Sequence, residues 1–121
     1  MALPAGVHGL SNHVVNTPWP KVERVKTGMS ALVQTTSLDK EALIALMADA
    51  TPAVDTELPK TGVSLEMERL LSSPFIQSAA YGTRVTTVLL RGMQRSQFLE
   101  QTFQGGQAGE RVSYQFDHVM A

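Results

Sequence analysis

The chain has 121 residues, 43% of them hydrophobic and 17% charged, which is typical of one globular domain that buries about two-thirds of its unfolded surface. A net charge of −1 without long runs of one sign argues against a nucleic-acid partner, and the lack of cysteine excludes disulfides and cysteine nucleophiles within the chain. The longest apolar run, residues 42–48, is too short for a membrane span and residues 1–12 resemble no secretory signal, so the expected compartment is the cytoplasm.

The N-terminal part is predicted to be a loop followed by a helix. Residues 6–15, which are punctuated by glycine, indicate a loop or short strand. Thr17 is a candidate N-cap, and the two prolines after it suit the first turn of a helix over residues 18–34. Lys21 and Arg24 lie off the apolar face of this helix, so we interpret them as solvated surface. The apolar face recurs at steps of three and four: Val22, Val25, Met29, Leu32 and Val33.

Two further helices are predicted, with a long connection between them. Ser37 is a candidate N-cap for a second helix, and the two helices together occupy residues 18–50. Residues 51–63, rich in proline, threonine and acidic side chains, predict a surface loop. Ser64 then caps a short helix within residues 64–73, which ends at a Ser-Pro pair. The expected core positions of these helices are apolar: Leu43, Ile44, Met47, Leu70 and Leu71.

The last third of the chain changes period and predicts antiparallel strands over residues 81–116. Residues 91–95 form a hairpin turn, and the glycine-rich residues 105–109 join the second strand to the third. The apolar first strand is expected to be covered on both sides, whereas strict alternation gives the last strand one wet face. The three predicted strands are residues 83–90, 97–103 and 112–116.

Arg84 places a positive charge at the start of the first strand, on the side shared with the core residues Thr86, Val88 and Leu90. An unpaired buried guanidinium is costly, so this side chain needs either water or a planar acceptor such as a carboxylate. Two interpretations stay open: a solvated or salt-bridged structural arginine, and an arginine that lines a polar pocket at the mouth of the sheet. Gly82 indicates a bulge or a close backbone approach.

Five segments resemble, in order, the C-terminal half of the NRDE family, which is also named for transport and Golgi organisation. The most specific are GLSN followed by TPWPK, and YGTR followed by TTVLL. The resemblance extends over residues 6–116 and is carried by GVHGLSNHVVNTPWPKVERV, LEMERLLSSPFI, YGTRVTTVLL, FLEQTF and RVSYQF.

This resemblance implies an α+β fold, half of an N-terminal nucleophile hydrolase-like αββα sandwich, in which two to three helices precede an antiparallel three-stranded meander. Residues 1–121 would form one partial domain. The family begins with Met-Cys and carries an Asn-Arg-Asp-Glu tetrapeptide, whereas this sequence begins Met1-Ala2 and has neither. Because Ala2 cannot act as a nucleophile, we expect no catalytic residue in this chain, and no activity from the chain alone. No cofactor and no metal site is expected, and the chain is interpreted as a fragment or one half of a split protein.

Two site residues follow from the similarity to related choloylglycine-type hydrolases. There, an asparagine in a similar segment helps to bind an oxyanion and a strand arginine lines the pocket, which implies such roles for Asn12 and Arg84. The alternative roles are a turn-capping asparagine and a structural arginine. Tyr81, Thr83 and Thr86 are further candidates for the pocket lining.

Two functions are therefore expected as alternatives. The first is a hydrolase-like segment that forms part of a small-molecule pocket, and the second is a non-catalytic binding or trafficking module for haem or a lipid-like ligand. An isolated half-sandwich would expose one sheet face, through Val85 and Leu89 or through Val88 and Leu90. The expected partners are thus a small molecule and either a missing N-terminal half or another copy of the chain.

Overall fold

The computed structural model describes residues 2–35 and 38–119 and confirms an α+β fold. Within these residues no helix is long and apolar enough to cross a lipid bilayer. Three helices precede one antiparallel sheet of three strands in the order β1-β2-β3. The elements are α1 (Pro20–Val33), α2 (Lys40–Met47), α3 (Leu65–Leu71), β1 (Val85–Arg91), β2 (Arg95–Gln104) and β3 (Gln107–Asp117).

Helix α1 begins later than predicted, at Pro20, and its N-cap is Trp19. Trp19 is extended, with φ −67° and ψ 147°, because a residue that precedes proline is sterically disfavoured in the helical region. Thr17 is therefore not the cap, and its hydroxyl donates instead to the carbonyl of Val14 at 2.9 Å. The prediction of Thr17 as N-cap was wrong. It took into account that proline needs no N–H in the first turn of a helix, but not that proline restricts the backbone of the residue before it.

The other two helices have side-chain caps. Asp39 caps α2 by accepting from the Ala42 N–H at 2.7 Å, and Ser37, the predicted cap, lies outside the described residues. Ser64 caps α3 as predicted and accepts from the Met67 N–H at 3.2 Å. The connection between these helices also contains a short 3-10 helix, Asp55–Glu57, which the sequence pattern did not indicate.

The sheet is a meander with two tight turns. The first turn follows Arg91, as predicted, and closes with a hydrogen bond from the Gly92 N–H to the Arg95 carbonyl at 2.8 Å. The second turn contains only Gly105 and Gly106, whose φ values of 58° and 82° match the two left-handed positions of a type I′ hairpin. The predicted 105–109 linker was therefore too long. Its last three residues already belong to β3, which runs from Gln107 to Asp117.

The helices cover only one face of the sheet. Leu43 of α2 packs with Val88 of β1 and Leu99 of β2, and partly buried side chains surround this cluster: Met29, Leu32, Ile44 and Leu90. Phe75 extends the core, with its ring edge-on to Phe103 at a centroid distance of 4.8 Å. Of the predicted core positions, Val33 is half exposed instead.

No part of residues 2–35 and 38–119 covers the opposite side of the sheet, which we call the open face. The apolar side chains of this face lie in register across all three strands: Val85, Leu89, Phe98, Val112, Tyr114 and Phe116. Leu89 is 63% exposed, so β1 is covered on one side only. The prediction that this strand is covered on both sides was wrong. Every residue of β3 is exposed, so the prediction of a single wet face for that strand was also wrong.

The accessible surface area also indicates that the fold is incompletely covered. The accessible surface is 8662 Å², whereas a compact monomer of 13.1 kDa is expected to expose about 6,400 Å². The chain thus buries only just over half of its unfolded surface, less than the two-thirds expected from its length.

Candidate functional site

The N-terminal loop is shaped by Asn16, which adopts the left-handed conformation at φ 61°. Its backbone N–H donates to the Gly9 carbonyl at 2.6 Å, and its side-chain oxygen accepts from the Gly9 N–H at 2.8 Å. Its amide nitrogen donates to Nδ1 of His8 at 2.9 Å. This closed loop carries Asn12 towards the start of α1 and the end of α3.

Lys21, in the first turn of α1, is half-buried. Its Nζ donates to the carbonyl of Leu71, the last residue of α3, at 3.0 Å. Burial lowers the pKa of Lys21 below its ordinary value of 10.5. The interpretation of Lys21 as solvated surface was therefore wrong, because a contact between residues 50 positions apart cannot be seen in a local pattern.

Glu68, on α3, is 7% exposed, and it is a buried charged residue. Both the N–H and the hydroxyl of Thr61 donate to Oε1 of Glu68, each at 2.8 Å. Within the described residues, Oε2 has no hydrogen-bond partner, and it is not sealed from solvent. One carboxylate oxygen of Glu68 is thus held by Thr61 and the other is accessible.

Three side chains of α3 and its C-cap hold the 51–63 loop against the helix. Glu68 binds Thr61, as described, and the Ala53 N–H donates to the hydroxyl of Ser72 at 2.8 Å. Arg69 forms a bidentate pair with Asp55, from Nε to Oδ1 at 2.9 Å and from Nη2 to Oδ2 at 2.6 Å. The hydrogen bond from Arg69 lowers the pKa of Asp55. The loop is therefore attached at three points along its length.

Lys21 and Glu68 line the same cavity, of about 250 Å³, between α1, α3 and the 51–63 loop. Within the described residues no ion pair joins the two side chains. Their charges are opposite and are the only formal charges that the described residues bring to the lining. The rest of the lining combines aromatic and apolar side chains with a few polar ones: Asn12, Trp19, Pro20, Pro59, Thr61, Leu71, Ser72, Ile76 and Tyr81.

The structure places the sequence-predicted site residues in three locations. Asn12 and Tyr81 both line the Lys21–Glu68 cavity, with Tyr81 57% exposed. Thr83 and Thr86 line a separate depression of about 420 Å³ between β1 and the helices. Arg84 is exposed, precedes β1 and lines neither cavity.

A close backbone contact positions the cavity residues that follow α3. The Thr83 N–H donates to the Ile76 carbonyl at 2.8 Å, and the Thr83 hydroxyl accepts from the Ile76 N–H at 2.9 Å. A Cβ on Gly82 would lie 2.8 Å from the same carbonyl, so the close approach predicted for this glycine is present. The pairing closes a loop whose two ends present Ile76 and Tyr81 to the cavity.

Arg24 lies at the surface, with its side chain 38% exposed, but it also makes contacts that a local sequence pattern does not indicate. Its guanidinium forms an ion pair with Asp49 at 2.5 Å and donates to the Thr51 carbonyl at 2.7 Å. Burial raises the pKa of Asp49, but hydrogen bonds from Thr51 and the charge of Arg24 outweigh this and leave it lowered. Arg24 thereby joins α1 to the start of the 51–63 loop.

The histidines of the N-terminal loop make structural hydrogen bonds. His8 contacts the Pro4 carbonyl through Nε2 at 2.8 Å, and His13 contacts the Thr17 hydroxyl through Nδ1 at 2.8 Å. In residues 2–35 and 38–119, no group of three His, Cys, Asp or Glu side chains could hold a metal ion.

Comparison with known proteins gives two matches. The family model described as Transport and Golgi organisation 2 matches residues 1–105 of this chain. A mouse protein, Transport and Golgi organization 2 homolog, is 28% identical over 98 residues. That alignment covers 74% of this chain and 36% of the mouse protein, so the chain spans little more than a third of the relative's length.

Proposed function

The chain belongs to the Transport and Golgi organisation 2 family, the family predicted from its motifs, and from this premise we propose that it forms part of a small-molecule binding site. The ligand occupies the Lys21–Glu68 cavity. The observation that carries this proposal is the accessible oxygen of Glu68, a buried carboxylate whose other oxygen is already hydrogen-bonded. Buried charges are costly without partners, and a pocket with few convergent polar groups is the usual form of a ligand site.

Single-tryptophan fluorescence tests this proposal, because Trp19 is the one tryptophan of the chain and lines the cavity. A panel of small carboxylates, amines and amino acids at millimolar concentration is titrated against the purified chain. We expect a saturable change in emission for at least one compound, and its loss in Glu68→Gln. The matched control Glu66→Gln, on the exposed side of α3, keeps the response. No saturable change with any compound would contradict the proposal.

In this proposal the chain contributes binding groups, and any nucleophile comes from the family's other half. It has no cysteine, and the resemblance to N-terminal nucleophile hydrolases implies a cysteine at the start of the family's other half. The relative has about two-thirds of its length outside the alignment, which is enough for that half. We expect the chain alone to be catalytically inactive.

The open face supports the further proposal that this chain is one half of a sandwich. Two sheets that pack face to face bury the apolar side chains of their facing surfaces. Here five of the six apolar side chains of the open face are exposed, and Phe98 is half-buried. The proposed cover is a second sheet from the part of the family's length that this chain does not match, and self-association through the same face is the alternative. Sedimentation velocity tests both, with Leu89→Lys expected to reduce association of the chain alone.

Met93→Lys is the matched control, because Met93 is 94% exposed in the first hairpin turn, outside the open face. A stable monomer at micromolar concentration, whose behaviour Leu89→Lys leaves unchanged, would count against an unfinished sheet. A soluble complex with a polypeptide that carries the family's Asn-Arg-Asp-Glu half would favour the missing-half arrangement.

Arg84 is proposed as a pocket residue only in that completed assembly. Its carbonyl accepts from the Phe103 N–H at 2.8 Å, which fixes its backbone at the end of the sheet, while its side chain is exposed. Arg84→Ala should then weaken ligand binding by the complex without changing the stability of the chain. Unchanged binding would return Arg84 to a structural role.

The alternative of a haem or lipid carrier receives less support from the cavity. Its volume of about 250 Å³ lies below the range of roughly 300–1,000 Å³ that is typical of pockets for drug-sized ligands. A haem titration of the chain is expected to give no saturable complex at this site. The cytoplasmic location stays a prediction, which cell fractionation would test.

A further inference from the structure

We infer that the Lys21–Glu68 cavity takes a small zwitterion of the amino-acid class, with the carboxylate of the ligand at Lys21 and its ammonium at Glu68. This inference rests on the proposed binding function and names the chemistry of the ligand. Its basis is the pair of opposite charges that share the lining without an ion pair between them.

The unused hydrogen-bonding capacity of the two side chains is complementary. A lysine ammonium has three N–H donors, and one of those on Lys21 binds the Leu71 carbonyl. The remaining donors suit a carboxylate. The carboxylate of Glu68 has one oxygen bound by Thr61 and one accessible oxygen, which suits an ammonium N–H. The cavity thus presents donors from one wall and an acceptor from the other.

Charge balance then distinguishes a zwitterion from a simple ion. The lining carries one positive and one negative side chain, so its formal charge is zero. A monocarboxylate would satisfy Lys21 but would enclose Glu68 with an unpaired charge, and an amine would do the converse to Lys21. Leaving a buried charge unpaired costs more than the matching contact gains. Only a ligand with both charges satisfies both side chains.

The size and walls of the cavity suit a small ligand with an apolar side chain. A volume of about 250 Å³ leaves room for a ligand of about amino-acid or dipeptide size. Trp19, Leu71 and Ile76 provide apolar surface in the lining, and Asn12 and Tyr81 belong to its exposed members.

Three matched probes isolate the charge requirement. L-Leucine carries both charges, 4-methylpentanoate is leucine without the ammonium, and 3-methylbutylamine is leucine without the carboxylate. Each is titrated against the full chain at pH 7 while the emission of Trp19 is recorded. Because each single-charge probe leaves either the buried Glu68 or the half-buried Lys21 without an opposite charge, we expect L-leucine to bind at least about tenfold more tightly than either.

Two substitutions assign the orientation. Lys21→Met should weaken leucine binding by about tenfold without weakening 3-methylbutylamine, and Glu68→Gln should do the same without weakening 4-methylpentanoate. Lys26→Met and Glu66→Gln are the matched controls and should leave all three affinities unchanged. Circular dichroism identifies a variant that fails to fold. In that case the affinities of the three probes for the unsubstituted chain test the inference without the variant.

The outcomes separate the inference from the function on which it rests. If either single-charge probe binds as tightly as leucine, the zwitterion inference is overturned and the small-molecule site stands. If no compound of any charge gives a saturable change in Trp19 emission, the proposed function itself is overturned.

Discussion

Two leucines of the sheet offer a direct test of its one-sided cover. Leu99 of β2 faces the helices and is 2% exposed, whereas Leu89 of β1 lies on the open face and is 63% exposed. Replacing each with alanine removes the same atoms from the same sheet. Any difference in the free energy of unfolding therefore reports the cover of the two faces.

The expected magnitudes follow from the burial of the two side chains. Truncating leucine to alanine removes carbon that contributes about 0.8 kcal/mol for each buried CH₂, or about 2.4 kcal/mol when fully buried. Leu99 is almost fully buried, and the cavity left in a packed core adds to this, so Leu99→Ala should cost about 3–4 kcal/mol. Leu89 keeps little more than a third of that burial, so Leu89→Ala should cost about 1 kcal/mol or less.

Urea unfolding followed by far-ultraviolet circular dichroism measures both costs, at a concentration low enough for the chain to be monomeric. Equal costs for the two variants would refute the one-sided sheet, because Leu89 would then be covered within a single chain. A cost below about 1 kcal/mol for Leu99→Ala would refute the packing of the sheet on α2. An increase in the cost of Leu89→Ala with protein concentration would instead locate self-association on the open face.

Three further predictions concern the cavity and its supports. Gly82→Ala should lower the free energy of unfolding by about 1–3 kcal/mol, measured by urea denaturation, because the new Cβ meets a backbone carbonyl that cannot move away easily. The hydrogen bond to Arg69 lowers the pKa of Asp55, so this tether is fully formed above pH 3.8 and is lost as the pH falls through the lower folded value. The protection of amides in the 51–63 loop against hydrogen exchange, relative to their intrinsic rates at each pH, should fall only there, and Asp55→Asn should lower this protection at every pH. Burial lowers the pKa of Lys21, so between the lowered pKa and about 10.5 the unfolded state binds more protons than the folded state. The free energy of unfolding should therefore rise with pH up to about 10.5 and then level. This rise should be absent in Lys21→Met and present in Lys26→Met.

The helices and hairpins could be predicted because their determinants are local. Ser64 caps α3 through a side chain three residues from its partner, and the Gly105–Gly106 pair supplies the two left-handed positions of a tight turn. The start of α1 was misplaced although its determinant is local too, because the effect of Pro20 on the preceding Trp19 was not applied.

The cavity could be predicted only in part, since it depends on contacts between distant segments. Asn12 and Tyr81 were found through their place in family motifs, and both line it. Lys21 and Glu68 were missed because their local patterns both predict an exposed side chain. Lys21 lies off the apolar face of its helix, and Glu68 lies in the first turn of its helix, where acidic side chains are common on the surface. Their partners are Leu71, 50 residues away, and Thr61, in a loop whose path no periodicity reveals.

The failed prediction for β3 is itself informative about the missing cover. The alternation of apolar and polar residues along a strand reflects burial of one face and solvation of the other. In β3, Val112, Tyr114 and Phe116 alternate strictly with polar residues. The register places these three on the same side as Leu89 and on the face away from the helices. A surface that meets only water has no physical need for such a row, and an uncovered apolar face promotes association. The pattern therefore correctly predicts which side chains share one apolar face, and within the described residues nothing covers that face.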